Sequence, residues 1–173
     1  VRSLAIAGNV VTQDKVIRRE IPLAPGDTLN QNAIDKGVRK LRGLGYFERV
    51  SARIEAPVEG DDPNQRDVIF EVDDTANTGS IRFGVGVSSD RGVTATINLT
   101  KRNFDWKDWP ERFSDVIGGR AFTGAGQTFQ LELSPGNDYS SYRIAFTEPW
   151  TFDKPIIFGW DLHLNQFRRF EYD

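Results

Sequence analysis

Apolar and polar residues follow different patterns on the two sides of residue 78. Before it, Ile34, Val38 and Leu41 form a stripe at helical spacing, and shorter runs alternate in polarity, which indicates a small α/β unit. After it, five segments alternate apolar and polar residues with a period of two, as strands do. We expect these strands over residues 79–88, 92–101, 126–134, 141–149 and 155–167. The pattern predicts two domains, at residues 1–77 and 78–173.

The first domain begins with a predicted strand and helix. Alternation around Leu4 and Ile6 predicts a short strand that stops at Gly8. Thr12 is placed to cap a helix that continues through Ile21, because a threonine hydroxyl can accept from a backbone amide of the first turn.

A second helix and two further strands complete the predicted order β-α-α-β-β. Asn30 is placed to cap this helix, and Gly45 follows the apolar stripe as a residue in the left-handed conformation. Alternating strands then cover residues 49–55 and 68–72, while Asp73 and Asp74 are expected in a solvated turn. We expect a small sheet covered on one face by two helices.

The second domain has the alternation that is typical of transmembrane barrel strands. In its first strand, one set of apolar side chains shares a face opposite Arg82, Gly84 and Gly86, and this set is Ile81, Phe83, Val85 and Val87. A soluble β-sandwich with one buried and one wet face would produce the same alternation. Only three aromatic residues precede residue 78 and 17 follow it, which favours a membrane sheet with interfacial aromatics.

Particular aromatic residues are predicted at the lipid interface. Trp106, Trp109 and Trp150 fall in the connections on one side of the sheet, whereas Tyr142 lies towards the other side. Because the first domain precedes the first strand, this strand runs away from it, and residues 88–92 form an outer loop. The second strand returns, so residues 102–125 lie on the side of the first domain. We interpret 102–125 as an insertion that packs on the first domain or on the membrane surface.

Composition excludes several function classes. The net charge of −3 gives no basic excess for nucleic acid, and the absence of cysteine removes disulfides and thiolate metal sites. The lone His163 is interpreted as a polar-face residue, because no second histidine or cysteine is present to share a metal with it. We predict no catalytic residues, metal or cofactor.

Several motifs resemble the membrane-proximal POTRA domain of the outer-membrane protein assembly factor family (BamA). They are Gly8-Asn9, the run 16–20, Gly26-Asp27, the helix at 35–44 and Leu44-Gly45-Tyr46-Phe47-Glu48-Arg49-Val50. The resemblance implies an α+β POTRA domain followed by antiparallel transmembrane β-barrel strands, here a partial barrel. Since about eight strands are needed to close a barrel, the other strands are expected outside this chain, which begins at Val1 and is expected to be part of a longer protein.

The resemblance also implies a function at the outer membrane, with the POTRA domain in the periplasm. The protein would fold and insert other β-barrel proteins, working with unfolded outer-membrane proteins, periplasmic chaperones, accessory lipoproteins and outer-membrane lipids. The substrate's last strand would pair with the first barrel strand by β-augmentation. The residues expected to carry this pairing are Ser80, Ile81, Arg82, Phe83, Gly84, Val85, Gly86 and Val87.

Two other functions fit the same sequence. A POTRA-barrel secretion pore would export a partner polypeptide through its lumen, and a soluble POTRA-bearing module would only bind partners. The paired glycines Gly84 and Gly86 also have two interpretations. They either weaken a barrel seam that must open, because glycine destabilises strands, or make room for a large side chain above them.

Overall fold

The computed structural model describes residues 1–56, 62–75, 78–89 and 92–168. The chain divides into two compact units. The first unit is Val1–Thr78 together with Trp106–Ala125, and the second is Gly79–Asp105 together with Gly126–Asp173. Residue 77 and part of the predicted outer loop 88–92 lie outside the described residues, so the boundary at 77/78 stays a prediction.

The first unit contains the predicted order β-α-α-β-β. Its elements are β1 Ser3–Ala7, α1 Asp14–Arg18, α2 Gln31–Leu44, β2 Phe47–Glu55 and β3 Asp67–Asp74. The sheet order is β1-β3-β2, with β1 parallel and β2 antiparallel to the central β3. Both β1 and β2 are therefore edge strands of this sheet.

One apolar core holds the helices against this sheet. The alternating residues Val68, Phe70 and Val72 of β3 are buried, together with Leu41 of α2 and Ile17 of α1. Burying a side chain of this size stabilises the fold by roughly 1.5–3 kcal/mol. The predicted arrangement of helices over a sheet is confirmed.

The ends of α2 agree with the sequence prediction. The side-chain oxygen of Asn30 accepts a hydrogen bond of 2.9 Å from the backbone amide of Asn32. Gly45 has φ +67°, and its amide donates to the carbonyl of Arg42, which ends the helix in the left-handed conformation.

The predicted role of Thr12 as a helix cap is wrong. The short α1 has Gln13 at its N-cap, and the buried Thr12 hydroxyl instead donates to the Asp74 carboxylate. Asp74 also accepts from the backbone amide of Val11 at 2.7 Å. Asp74 is the last residue of β3, not part of a solvated turn, and its carboxylate fixes the loop before α1. The Thr12 hydroxyl does not cap α1 because it donates to this carboxylate instead.

No helix in the described parts of the chain is long and apolar enough to cross a membrane.

The second unit is an antiparallel sheet of five strands. They are β4 Gly79–Ser88, β5 Gly92–Phe104, β6 Gln127–Ser134, β7 Tyr139–Glu148 and β8 Phe158–Phe167, in the spatial order β4-β5-β6-β7-β8. The prediction of five antiparallel strands is confirmed, although β5 extends to Phe104 beyond its expected end and β8 begins later than expected.

The strand register separates an apolar face from a polar face. On the apolar face, one row of directly paired residues crosses the whole sheet: Ile81, Leu99, Leu131, Ile144 and Leu162. On the opposite face, another row consists of Arg82, Asn98, Glu132, Arg143 and His163. The two rows are one residue apart in every strand, and they lie on opposite faces because successive side chains of a pleated strand point to opposite sides.

The segment Trp106–Ala125 belongs to the first unit and contains α3 Phe113–Ile117. The carbonyl of Gly124 accepts a 2.9 Å hydrogen bond from the amide of Gln13. Gly124 has φ +128°, and a Cβ added there would lie 2.5 Å from the carbonyl oxygen of Val11. Only glycine fits this approach, so the segment is tied to the loop that precedes α1.

Candidate strand-pairing edge

Strand β4 forms one edge of the five-stranded sheet. All ten of its residues pair with β5, from Gly79 opposite Lys101 to Ser88 opposite Gly92, without a register shift. Among the described residues no strand pairs with the other side of β4. Since alternate residues of an edge strand point their backbone amide and carbonyl outward, about five of the ten present unpaired backbone groups.

The apolar side chains of β4 are exposed along its whole length. The exposed fraction is 59% for Ile81, 77% for Phe83, 81% for Val85 and 79% for Val87. Ser80 and Arg82 lie on the opposite, polar face and are also exposed. The predicted pairing residues therefore form a continuous edge with one apolar face and one polar face.

The two glycines of β4 have open space above them. A Cβ added to Gly84 would have Thr96 Cβ as its nearest described neighbour, at 3.9 Å, and a Cβ added to Gly86 would contact nothing within 4 Å. Neither glycine has the positive φ that excludes other residues. The packing of the described residues thus gives no reason for these glycines, and the weakening of the seam stays a prediction.

The opposite edge strand, β8, is attached by its side chains to β7. The Arg143 guanidinium donates to both carboxylate oxygens of Asp161, from Nε to Oδ1 at 3.1 Å and from Nη2 to Oδ2 at 2.6 Å. The Tyr139 hydroxyl donates to Asn165 at 3.0 Å, and His163 Nε2 lies 2.8 Å from the same Asn165 oxygen. His163 therefore takes part in a polar network between strands, on the face that the sequence predicted.

Between Ser80 and Val87, strand β4 has no comparable attachment. In the described part of the chain, no side chain from Ser80 to Val87 makes a hydrogen bond or an ion pair. Backbone hydrogen bonds with β5 hold this stretch in place. The two edge strands thus differ in how far side-chain pairs attach them to their neighbours.

The four predicted interface aromatics do not form a single cluster. Trp106 and Trp109 lie in the first unit, with exposed fractions of 55% and 73%. Trp150 and Tyr142 lie in the second unit and are half-buried. Tyr142 is in β7 opposite Leu133 and Leu164 on the apolar face. Their contact with lipid stays a prediction.

An aromatic cluster that the sequence did not predict crosses β5 to β8. Phe104 stacks on Phe129 with ring centroids 5.3 Å apart and meets Phe146 edge-on at 6.3 Å, and Phe146 stacks on Trp160 at 6.0 Å. Phe104 reaches this face because the register shifts by one residue between Lys101 and Phe104. Asn103 lies inside this bulge, where it is buried and has φ +52°. The sequence signal for the bulge is the residue type, because asparagine tolerates a positive φ.

The described residues were also compared with the requirements of a metal site. Within the ranges that the structure describes, no group of three or more histidine, cysteine or acidic residues could hold a metal ion.

Two family models match separate parts of the chain. Residues 1–74 match the family described as POTRA, surface antigen variable number repeat, and residues 121–173 match the Omp85 superfamily domain.

Individual relatives match most of this chain. The outer membrane protein assembly factor BamA of Buchnera aphidicola is 28% identical over 153 residues, which is 88% of this chain. BamA of Neorickettsia risticii is 29% identical over 160 residues, or 92% of this chain. The chain spans 21% and 18% of the lengths of these two relatives.

A solved structure has the same fold. The crystal structure of BamA from Haemophilus ducreyi lacking POTRA domains 1–3 superposes with a TM-score of 0.74 at 26% identity, covering 96% of this chain and 27% of that one.

Proposed function

Because the chain belongs to the BamA/Omp85 family, we propose that it is part of a factor that folds other β-barrel proteins and inserts them into the outer membrane. Its relatives are described as outer membrane protein assembly factors. The POTRA domain lies in the periplasm in this proposal, and the strands β4–β8 cross the membrane. The function depends on no cofactor and no catalytic residue.

The observation that carries the proposal is the condition of the β4 edge. Its outward backbone groups have no strand partner among the described residues, and the side chains from Ser80 to Val87 make no polar bonds there that a new partner would have to break. An unpaired backbone group in the hydrocarbon of a membrane costs several kcal/mol. A client strand that pairs with β4 at an opened barrel seam removes this cost for both chains, which favours pairing without any external energy source.

Backbone pairing also explains how one factor can serve many clients. In β-augmentation the main-chain hydrogen bonds are independent of sequence, and only the alternation of apolar and polar side chains must match. A client's last strand would place its apolar residues beside Ile81, Phe83, Val85 and Val87. Gly84 and Gly86 add no side-chain contacts on the other face, so the completed strand pair can separate again when the client is released.

The proposed partners follow from this cycle. They are unfolded outer-membrane proteins as clients, periplasmic chaperones that deliver them, accessory lipoproteins bound to the POTRA domain, and outer-membrane lipids.

Disulfide crosslinking in native outer membranes tests the proposal. The intact protein would carry a cysteine at Arg82 or Gly84 on β4, and a client barrel would carry cysteines scanned along its last strand. Directly opposed residues in antiparallel strands have Cα atoms about 4.5–5.5 Å apart, which suits a disulfide. We expect each β4 cysteine to crosslink to one client position, with the positions for Arg82 and Gly84 two residues apart, as a single antiparallel register requires.

A matched control places the cysteine at Asp161, on the polar face of the opposite edge strand β8. Crosslinks from β4 but not from Asp161 support pairing at β4. Equal crosslinking from both positions contradicts a specific β4 edge. Crosslinks only to an exported polypeptide inside the lumen would identify a secretion pore instead.

A further inference from the structure

The apolar face of the second unit changes character in steps along its strands. One row is aliphatic and consists of Leu99, Leu131, Ile144 and Leu162. The next row, two residues further along, consists of Lys101, Phe129, Phe146 and Trp160. In the row after that, Gln127 and Glu148 lie between Phe104 and Phe158. Along the central strands β6 and β7, the order on this face is thus aliphatic, then aromatic, then polar.

Gln127 and Glu148 form a hydrogen-bonded pair one row beyond the aromatic row. Gln127 Nε2 donates to Glu148 Oε2 at 2.8 Å, and the backbone amide of Trp150 donates to Glu148 Oε1 at 3.0 Å. Both carboxylate oxygens therefore have a donor. A carboxylate is expensive inside hydrocarbon even with such partners, so Glu148 is expected on the water side of the hydrocarbon.

The bulge in β5 brings a further ring against the aromatic row. It turns Phe104 onto the apolar face opposite Gln127, where its ring stacks on Phe129 at 5.3 Å. In β4, Gly79 lies directly opposite Lys101. Because glycine has no side chain, the lysine stem can extend along the strand towards Gln127 and Glu148.

We propose that the boundary between lipid acyl chains and headgroups crosses the apolar face at the row of Lys101, Phe129, Phe146 and Trp160, with the Lys101 ammonium binding lipid phosphates. This inference rests on the proposed location of β4–β8 in a membrane. Aromatic rings favour the headgroup layer because one side of it is apolar and the other is wet. Successive rows are about 6.8 Å apart, so hydrocarbon, interface and water each coincide with one row.

Spin labels along the central strand β7 test the position of the boundary. Single cysteines at Ile144, Phe146 and Glu148 in the intact protein, reconstituted in phosphatidylethanolamine and phosphatidylglycerol vesicles, would carry nitroxides. Oxygen partitions into acyl chains, whereas a nickel chelate stays in water. We expect the oxygen-to-nickel accessibility ratio to be high at Ile144, to fall at least several-fold by Glu148, and to be intermediate at Phe146.

The possible outcomes separate this inference from the proposed function. A nickel-accessible label at Ile144 means that the face is outside lipid, which contradicts the membrane location itself. Oxygen-accessible labels at both Ile144 and Glu148 keep the membrane location but overturn the proposed boundary. An abrupt change between Ile144 and Phe146, with Phe146 in water, overturns it as well.

Solid-state NMR tests the lipid contact of Lys101 directly. With lysine labelled by 15N at Nζ, dipolar recoupling to lipid 31P should give a signal that Lys101→Met reduces, because methionine retains an apolar stem without the ammonium. Lys107→Met is the matched control, since Lys107 Nζ lies 5.3 Å from the Trp106 ring in the other unit. An unchanged signal in Lys101→Met would overturn the phosphate contact.

Discussion

The side-chain oxygen of Asn103 accepts a hydrogen bond of 2.9 Å from the backbone amide of Gly126. Asn103 is 1% exposed, and its φ of +52° belongs to the bulge that moves Phe104 to the apolar face. One residue thus satisfies a buried amide and sets the position of an aromatic ring. Asparagine tolerates this backbone conformation better than most residues do.

Replacing Asn103 separates these two contributions. Asn103→Gly retains the backbone conformation but removes the hydrogen bond to the Gly126 amide, which should lower stability by roughly 0.5–1.5 kcal/mol. Asn103→Ala adds the cost of a positive φ, about 1–2 kcal/mol more. Guanidinium titration of the protein in lipid vesicles measures both. Equal midpoints for the two variants would show that the backbone conformation carries no strain.

The contact between Thr12 and Asp74 should hold the loop before α1. Thr12 is 2% exposed, and its hydroxyl donates to the Asp74 carboxylate. Thr12→Val removes the donor at nearly constant volume, so we expect a loss of about 1–3 kcal/mol because a charged acceptor loses a partner. Hydrogen–deuterium exchange of residues 10–18 in the intact protein should accelerate, while Thr12→Ser should leave it near the wild-type rate. Unchanged exchange in Thr12→Val would contradict this role.

The carboxyl of Asp67 should make stability depend on pH. Hydrogen bonds from the Arg2 guanidinium and the Ser3 hydroxyl lower the pKa of Asp67 to about 2, from an ordinary value of 3.8. The lowered pKa means that the folded state favours the ionised form. Its contribution is therefore fully present above pH 3.8 and is lost as the pH falls through about 2.

Comparison with Asp67→Asn isolates this effect. The wild type should be the more stable at neutral pH, and the difference should shrink between about pH 4 and pH 2. Urea titrations at a series of pH values measure it, and Arg2→Met, which removes the largest cause of the shift, should reduce the same difference. A gap that stays constant down to pH 2 would show that Asp67 titrates normally.

The fold could be predicted wherever local patterns decide it. The period of two along Gly79–Ser88 predicted β4 with the bounds that the structure has, and Asn30 with Gly45 predicted both ends of α2. The prediction failed where a distant partner decides. Asp74 lies 62 residues from Thr12, so no local rule shows that its carboxylate takes the hydroxyl away from α1.

The candidate edge was predictable only as far as local patterns decide it. Alternation identified which β4 side chains share a face, because the pleat alone fixes this. The open space above Gly84 and Gly86 depends on Thr96 and other residues of neighbouring strands, and sequence left both interpretations open. The place of Phe104 in the aromatic cluster depends on the register shift at Asn103. Alternation of apolar and polar residues cannot predict this shift, because the extra residue interrupts the period of two.

Stiffening β4 should slow client assembly without unfolding the protein. Gly84→Val with Gly86→Val fits the open space above both positions and raises β propensity, so stability should stay the same or rise by up to about 1 kcal/mol per site. The same change should oppose the separation of the strand pair that we propose for client release. Assembly of a client barrel by vesicles containing the purified protein should become several-fold slower.

Ser80→Val is the matched control, because it adds the same β-branched side chain on the same face of β4 without replacing a glycine. The control should assemble clients at nearly the parental rate, with unchanged thermal stability in both proteins confirming that they are folded. If the glycine variant matches the control, then flexibility at Gly84 and Gly86 plays no part in pairing, and the edge works as a rigid template. If both variants are slow, the cause is added bulk on the polar face rather than the loss of the glycines.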